Sequence, residues 1–487
     1  MKFRYILLSS CILLSLSTWG QTKKVTKKEQ LDQQARIMLC NKIFVDNIKT
    51  VKFHPEGRPL AEPVLKLGTS AKLVLIFDDI DLDVKNYRYS IQHYNADWTP
   101  NEELNIFDFL DGFEDEIFQD YEFSRTEYSD YVHFTLELPN DRVKWKLSGN
   151  YVLKVFDDSN DKKLVLTRRF MVTENLVFVT PDVRVAFRND QSRSHQEIDF
   201  DVTSQKLQIQ STPEQISATV VQNGIWGSAI YGIKPLFIKQ GKLEFRYQNK
   251  ICFEAGKEWR FVDMRSLENR LNFVESIEEL DEGFDLLVKL DQPRANKNFF
   301  NSADANGKFV IQNFDDVSFR RLGNPIQVDT TTANLDDFSE EQLRERDRIN
   351  SLVEEINMDD QKRSARQQHL VGEYILTYFT LAASQPYYKG DVYVYGELSD
   401  WSISEPYKMR YNDQTLQYET ELMLKQGYYN YMYAFQPDAD AGSQNFTFEE
   451  VEGNWFEANN DYNVYIYYRP FGQRYDQLVG YRSFSSF

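Results

Sequence analysis

Along most of this chain apolar and polar residues alternate with a period of two, and clusters of turn-forming residues punctuate the runs. Between 43 and 175 the runs are IFVDNIKTVKF, KLVLIF, YRYSIQHY, YVHFTLELP, NYVLKVFDD and KLVLTRRFMV. Pro55-Glu56-Gly57, Pro139-Asn140-Asp141 and Ser148-Gly149-Asn150 break them. Short alternating strands at this spacing predict an immunoglobulin-like or fibronectin-like β-sandwich over 43–175. One excursion, 95–130, is rich in Asp, Glu and Phe. Its aromatic residues Phe107, Phe109, Phe113, Phe118 and Phe123 are expected to pin it to the sandwich.

The alternation continues through VFVTPDVRVAF, EIDFDVT, ATVVQNG, KLEFRY, KEWRFVDM, FDLLVKL and KFVIQNF, which predicts a second sandwich over 176–325. Asn223-Gly224 reads as a hairpin turn and Trp226 beside it as a packing residue. A third sandwich is expected over 372–487, from EYILTYFTLAA, DVYVYGEL, LQYETELML, YYNYMYAF and NVYIYYRPFG, with an extension QRYDQLVGY. The period changes only in 326–371. There Ser339 and Gln342 make a capping box, and Leu343, Ile349, Leu352, Val353 and Ile356 form a thin apolar stripe on a charged background, so a helical linker is expected.

The first residues follow another pattern. Lys2 and Arg4 precede an apolar stretch from Tyr5 to Leu16, and Thr18-Trp19-Gly20 offers a cleavage site before Gln21. This is the form of a secretory signal peptide, 1–20. Leu8-Ser9-Ser10-Cys11 also matches a lipobox, which makes a lipoprotein signal the alternative. Residues 21–42 are a lysine-rich lead-in, a short helix or a flexible segment. Beyond the leader no apolar run reaches the roughly 18 residues a membrane helix needs, so an exported chain with no span of its own is expected.

Composition narrows the partners. Hydrophobic residues are 41% of the chain, enough for real cores. Lys and Arg number 56 against 75 Asp and Glu, a net charge of −19, and such a surface repels nucleic acid. Cys40 and Cys252 are the cysteines outside the leader; one bridge between them is conceivable, but there is no disulfide framework. Chemistry leaves no signature either. There is no Gly-x-Ser-x-Gly, no phosphate-cradling glycine loop and no His-Glu-x-x-His. The five histidines are dispersed, and pairs such as Asp78-Asp79 and Asp157-Asp158 point to opposite strand faces. The expectation is a protein that is not an enzyme and carries no metal or cofactor.

Two resemblances add to this. VYVYGELSDW, with LMLKQGYYNYMYAF and Glu452-Gly453-Asn454-Trp455, resembles the early-set glycogen- and starch-binding modules. That likeness implies a glycan site on Trp401 and Trp455, whose indole faces would stack on pyranose rings. Met432 stands where those modules usually carry a sugar-binding lysine. YRYSIQHYNADWTP with LNIFDFLDGFED, YVHFTLELPND with LSGNYVLKVF, LVFVTPDVRVAFRND, KQGYYNYMYAF and NVYIYYRPFGQRYDQLVGY together resemble the plug protein family of the Bacteroidetes type IX secretion system, from about 43 to 481. The resemblance implies a non-enzymatic periplasmic protein that seals the periplasmic opening of the outer-membrane translocon barrel. On the plug reading, the candidate partner-binding residues are Phe107, Phe109 and Phe113 of the 95–130 excursion. An exported glycan-binding protein is the alternative.

Overall fold

The structure, a computed structural model, describes residues 32, 35–81, 84–159, 161–204, 206–207, 213–239, 241–299, 304–316 and 366–487. The leader and most of the expected linker helix lie outside these residues; 366–371, at the end of the linker, is helical.

The chain is mainly β, in three two-sheet sandwiches. One sheet of the first runs in the order Lys42–Ile43, Lys163–Thr173, Gly149–Asp157, Tyr87–Tyr94, Asp115–Ile117, with Val64–Lys66 joined in parallel to Lys163–Thr173. The other runs Ile48–Pro55, Leu73–Asp79, Val132–Leu138, Asp120–Phe123. Alternation sends Leu75, Phe77, Phe134, Leu136, Tyr151 and Leu153 into the space between the sheets. Phe77 and Phe134 stack there with centroids 5.1 Å apart.

The remaining strands do not fall into the contiguous blocks 176–325 and 372–487. The second sandwich pairs a sheet of Phe178–Val185, His195–Thr203, Lys242–Phe245 and Phe237–Lys239 with one ordered Ile230–Ile233, Ile216–Gln222, Asp461–Tyr468, Gln477–Ser485. Its second sheet is thus completed by strands expected in the third block. Conversely, Arg260–Asp263 and Phe309–Ile311 flank Gly427–Pro437, and Gly283–Val288 lies parallel to Tyr374–Ala382. The third sandwich is inserted into the second. The chain leaves near Gly256 and returns near Trp455, and the crossings are tied by Trp455 N donating to Gly256 O (2.8 Å) and Gly256 N to Asn454 Oδ1 (2.9 Å). The reason lies in pairing: a strand's pattern fixes which face is buried but not which partner it meets.

Other expectations meet the structure directly. Asn223 and Gly224 both have positive φ and turn the chain between Ile216–Gln222 and Ile230–Ile233. Trp226 is buried. Cys40 and Cys252 are both free thiols.

Candidate functional site: an aromatic edge on the first sandwich

The 95–130 excursion supplies an edge strand to each sheet of the first sandwich. Asp115–Ile117 pairs with Tyr87–Tyr94, and Asp120–Phe123 with Val132–Leu138. A single helical turn, Ile106–Phe109, precedes them; Asp108 accepts from Asn105 N (3.0 Å) and pairs with Arg474 (3.1 Å). Leu110–Asp111 then pairs with Lys144–Trp145. Gly112 follows with φ +156°, and a Cβ there would lie 2.4 Å from Arg142 O, so only glycine fits this corner.

Two aromatic residues anchor the excursion. Phe109 is 4% exposed and packs near Tyr151 and His93, and Phe118 enters the core beside Phe77. Phe109 is therefore no part of a contact surface, which corrects its assignment among the candidate partner-binding residues. The turn places its side chain inward while its neighbour Phe107 points out. Phe107 is 70% exposed and Phe113 72% exposed; Ile117, Tyr121 and Phe123 are exposed with them. Phe107, Phe113 and Phe123 thus do not pin the excursion. Strands of two to four residues carry too little alternation to say which aromatic goes in.

Acidic groups frame these side chains, and most are held. Asp115 pairs with Arg88 (2.8 Å) and Lys162 (2.9 Å), and Glu116 with Arg142 (2.9 Å). The Arg88 and Lys162 hydrogen bonds lower the Asp115 pKa. Arg366, on the helical turn ahead of the third sandwich, bridges Asp120 and Glu122. The result is a set of exposed apolar side chains beside a rim of ion-paired acidic groups. Among the described residues no group of three or more His, Cys, Asp or Glu is placed to hold a metal ion. No helix among them is long and apolar enough to cross a membrane.

The C-terminal tryptophans are not brought together. Trp401 follows Asp400, both with positive φ, and its ring meets Trp259 (5.9 Å) and Tyr395 (5.9 Å) edge-on. Gly307 passes so close to both indoles that a Cβ would lie within 2.7 Å of each. Trp455 sits at the return crossing with Lys257 Nζ 5.7 Å from its ring. No ring contact joins Trp401 to Trp455 among the described residues. Met432 is buried in the same cluster as Trp259.

A deeper feature escaped sequence reasoning. Asp78, buried in the first sandwich, accepts from His133 Nδ1 (2.6 Å), Tyr374 OH (2.7 Å) and Lys425 Nζ (2.6 Å), the last two from the third sandwich. Burial alone would raise the Asp78 pKa, but Lys425 and His133 bring it down to about 2. Glu373 of the third sandwich accepts three backbone N–H groups, from Glu127, Tyr128 and Ser129. These contacts fix the edge-bearing sandwich to the third. A lysine closing the apolar run LML at the end of Gln417–Lys425 was the signal available.

The described residues thus form a mainly β body whose first and third sandwiches are joined by buried contacts, with an exposed aromatic edge on the first. Residues 48–174 match the family described as type 9 secretion system plug protein 1st domain, and the first sandwich is a member of that family. This associates the chain with type 9 secretion, and the aromatic edge lies inside the matched region. Over nearly its whole length the chain is also similar to the crystal structure of a hypothetical protein from Parabacteroides merdae. The TM-score is 0.76 at 27% identity, covering 92% of this chain and 99% of that one. The comparison with curated proteins found no match. No enzyme family is indicated by either likeness.

Proposed function

We propose that the chain is a non-enzymatic periplasmic plug that binds the periplasmic opening of the type IX outer-membrane translocon barrel and seals it. The carrying observation is that the family match and the exposed aromatic edge fall on the same sandwich. Phe107 and Phe113 are the anchors on this reading: large, exposed apolar side chains of the kind that dominate interface energies. The buried ionic junction between the first and third sandwiches supports it too, because a seal must resist deformation. Trp401 has a packing role in the third sandwich, partly buried against Trp259 and Tyr395.

A mild-detergent pull-down of the tagged chain from its native outer membrane, read by mass spectrometry, tests the reading. One very large barrel protein should come with the wild type. Its recovery should fall at least tenfold with Phe107→Ser plus Phe113→Ser. Absence of any translocon component would overturn the plug, and undiminished recovery with the double variant would overturn the edge.

A further inference from the structure

The helical turn 366–371 is held between the first and third sandwiches from both sides. From the first, the Tyr131 hydroxyl donates to His369 O (2.9 Å) and Gly372 O (3.1 Å), Arg125 N donates to Leu370 O (2.7 Å), and Asp120 and Glu122 hold Arg366. From the third, Lys425 Nζ donates to His369 O (2.5 Å), and Asn313 Nδ2 donates to Val371 O (2.7 Å). The His369 ring lies flat against that of His133 of the first sandwich, with centroids 5.2 Å apart and planes within 10° of parallel. His369 Nδ1 and His133 Nε2 are both buried without a partner.

The groups around His369 leave it no counter-charge of its own. Asp78 is shared by His133, Tyr374 and Lys425. Glu122, opposite His133 in the strand register, is taken by Arg366. Among the described residues no carboxylate bonds to His369. Lys425 already brings positive charge from the third sandwich, and His133 and His54 oppose a further proton from the first. Tyr131 and Tyr374 stay neutral, their pKa values raised by burial and by Asp78. Burial, then His133 and Lys425, hold the His369 pKa well below the ordinary 6.5.

We propose that His369 is an acid-sensitive latch between the first and third sandwiches, neutral while it packs against His133 and protonated as the two part. The sign follows from linkage. A ring whose pKa is depressed when docked favours docking fully above 6.5. That contribution is lost as pH falls below 6.5, because the parted state takes the proton first. Asp78, held at about 2, keeps its charge over the same range and adds nothing to the change. Acid therefore frees the edge-bearing sandwich from the third, whatever the edge binds.

The test uses the full chain and reads hydrogen exchange, corrected for the intrinsic rate, at the Glu127, Tyr128 and Ser129 amides, which donate across this seam to Glu373. Between pH 7.5 and 5.0 one proton taken up at 6.5 raises the opening constant about thirtyfold. His369→Phe, which keeps a ring against His133, and His369→Gln should each remove that factor, so that the wild-type rise exceeds the variant's about thirtyfold. Equal rises in wild type and variants overturn the proposal. If neither variant folds, wild-type exchange decides it: opening at these three amides that does not change with pH overturns the latch, and a rise there that the first-sandwich core amides do not share supports it.

Discussion

Lys425→Met should uncouple the first sandwich from the third. The ammonium is fully buried and donates to Asp78 Oδ2 and His369 O, 3.9 Å above the Tyr131 ring. Methionine keeps most of the volume and removes the charge, leaving Asp78 as a buried carboxylate with His133 and Tyr374 as its donors. Breaking one side of a buried pair costs about 3–5 kcal/mol. A second route gives a similar size. Asp78 is held at about 2 against an ordinary 3.8, and that shift alone corresponds to about 2.5 kcal/mol. The assay is urea unfolding followed by tryptophan fluorescence and by circular dichroism, to see whether both probes still report one transition. The variant should lose about 3–5 kcal/mol. Adding Asp78→Asn should restore much of it, because the second change removes the stranded charge. A loss below about 1 kcal/mol, or two losses that simply add, would refute the view that this network joins the sandwiches.

Other outcomes follow from the same geometry. Phe107→Ser with Phe113→Ser should leave the urea midpoint within about 0.5 kcal/mol of wild type, since both side chains are exposed; a larger loss would mean that they pack. Trp401→Ala should cost about 2–4 kcal/mol, read by the same unfolding, and binding on a glucan affinity gel should be absent in wild type and variant alike. Acid should expose the buried carboxylates. Glu452 is held at about 2 by Arg260 and Arg294 despite burial that would raise it, below an ordinary 4.5. Its contribution, about 3 kcal/mol, is present above pH 4.5 and lost as pH falls through 2. Glu452→Gln should flatten that part of the pH–stability curve, measured by urea midpoints between pH 2 and 6; an unchanged curve would count against the assignment.

The alternation in KLVLIF and YVHFTLELP was enough to read the first sandwich, and Asn223-Gly224 was enough to read a turn. Partner choice was not legible. Nothing in NVYIYYRPFG distinguishes a strand that pairs with 216–222 from one that stays with its neighbours, because the choice depends on facing surfaces more than two hundred residues apart. Inward and outward aromatics in 106–123 were equally hidden, since the local strands are too short for a period to register. Arg168-Arg169 in KLVLTRRFMV did carry a signal. Neighbours on a strand face opposite ways, so Arg169, on the face away from Leu166, Phe170 and Val172, marks an outer face covered by something other than water, and Trp226 of the second sandwich covers it.

The insertion also orders the making of the molecule. Ile216–Gln222 is synthesised well before its neighbour Asp461–Tyr468, with the whole inserted sandwich in between. As the chain emerges from N- to C-terminus, the first sandwich holds all its own strands and can close at once. The second waits with an open, apolar flank. That interval is when a chaperone or a protease has its best hold, and a chain cut short of 461 would stay in it permanently.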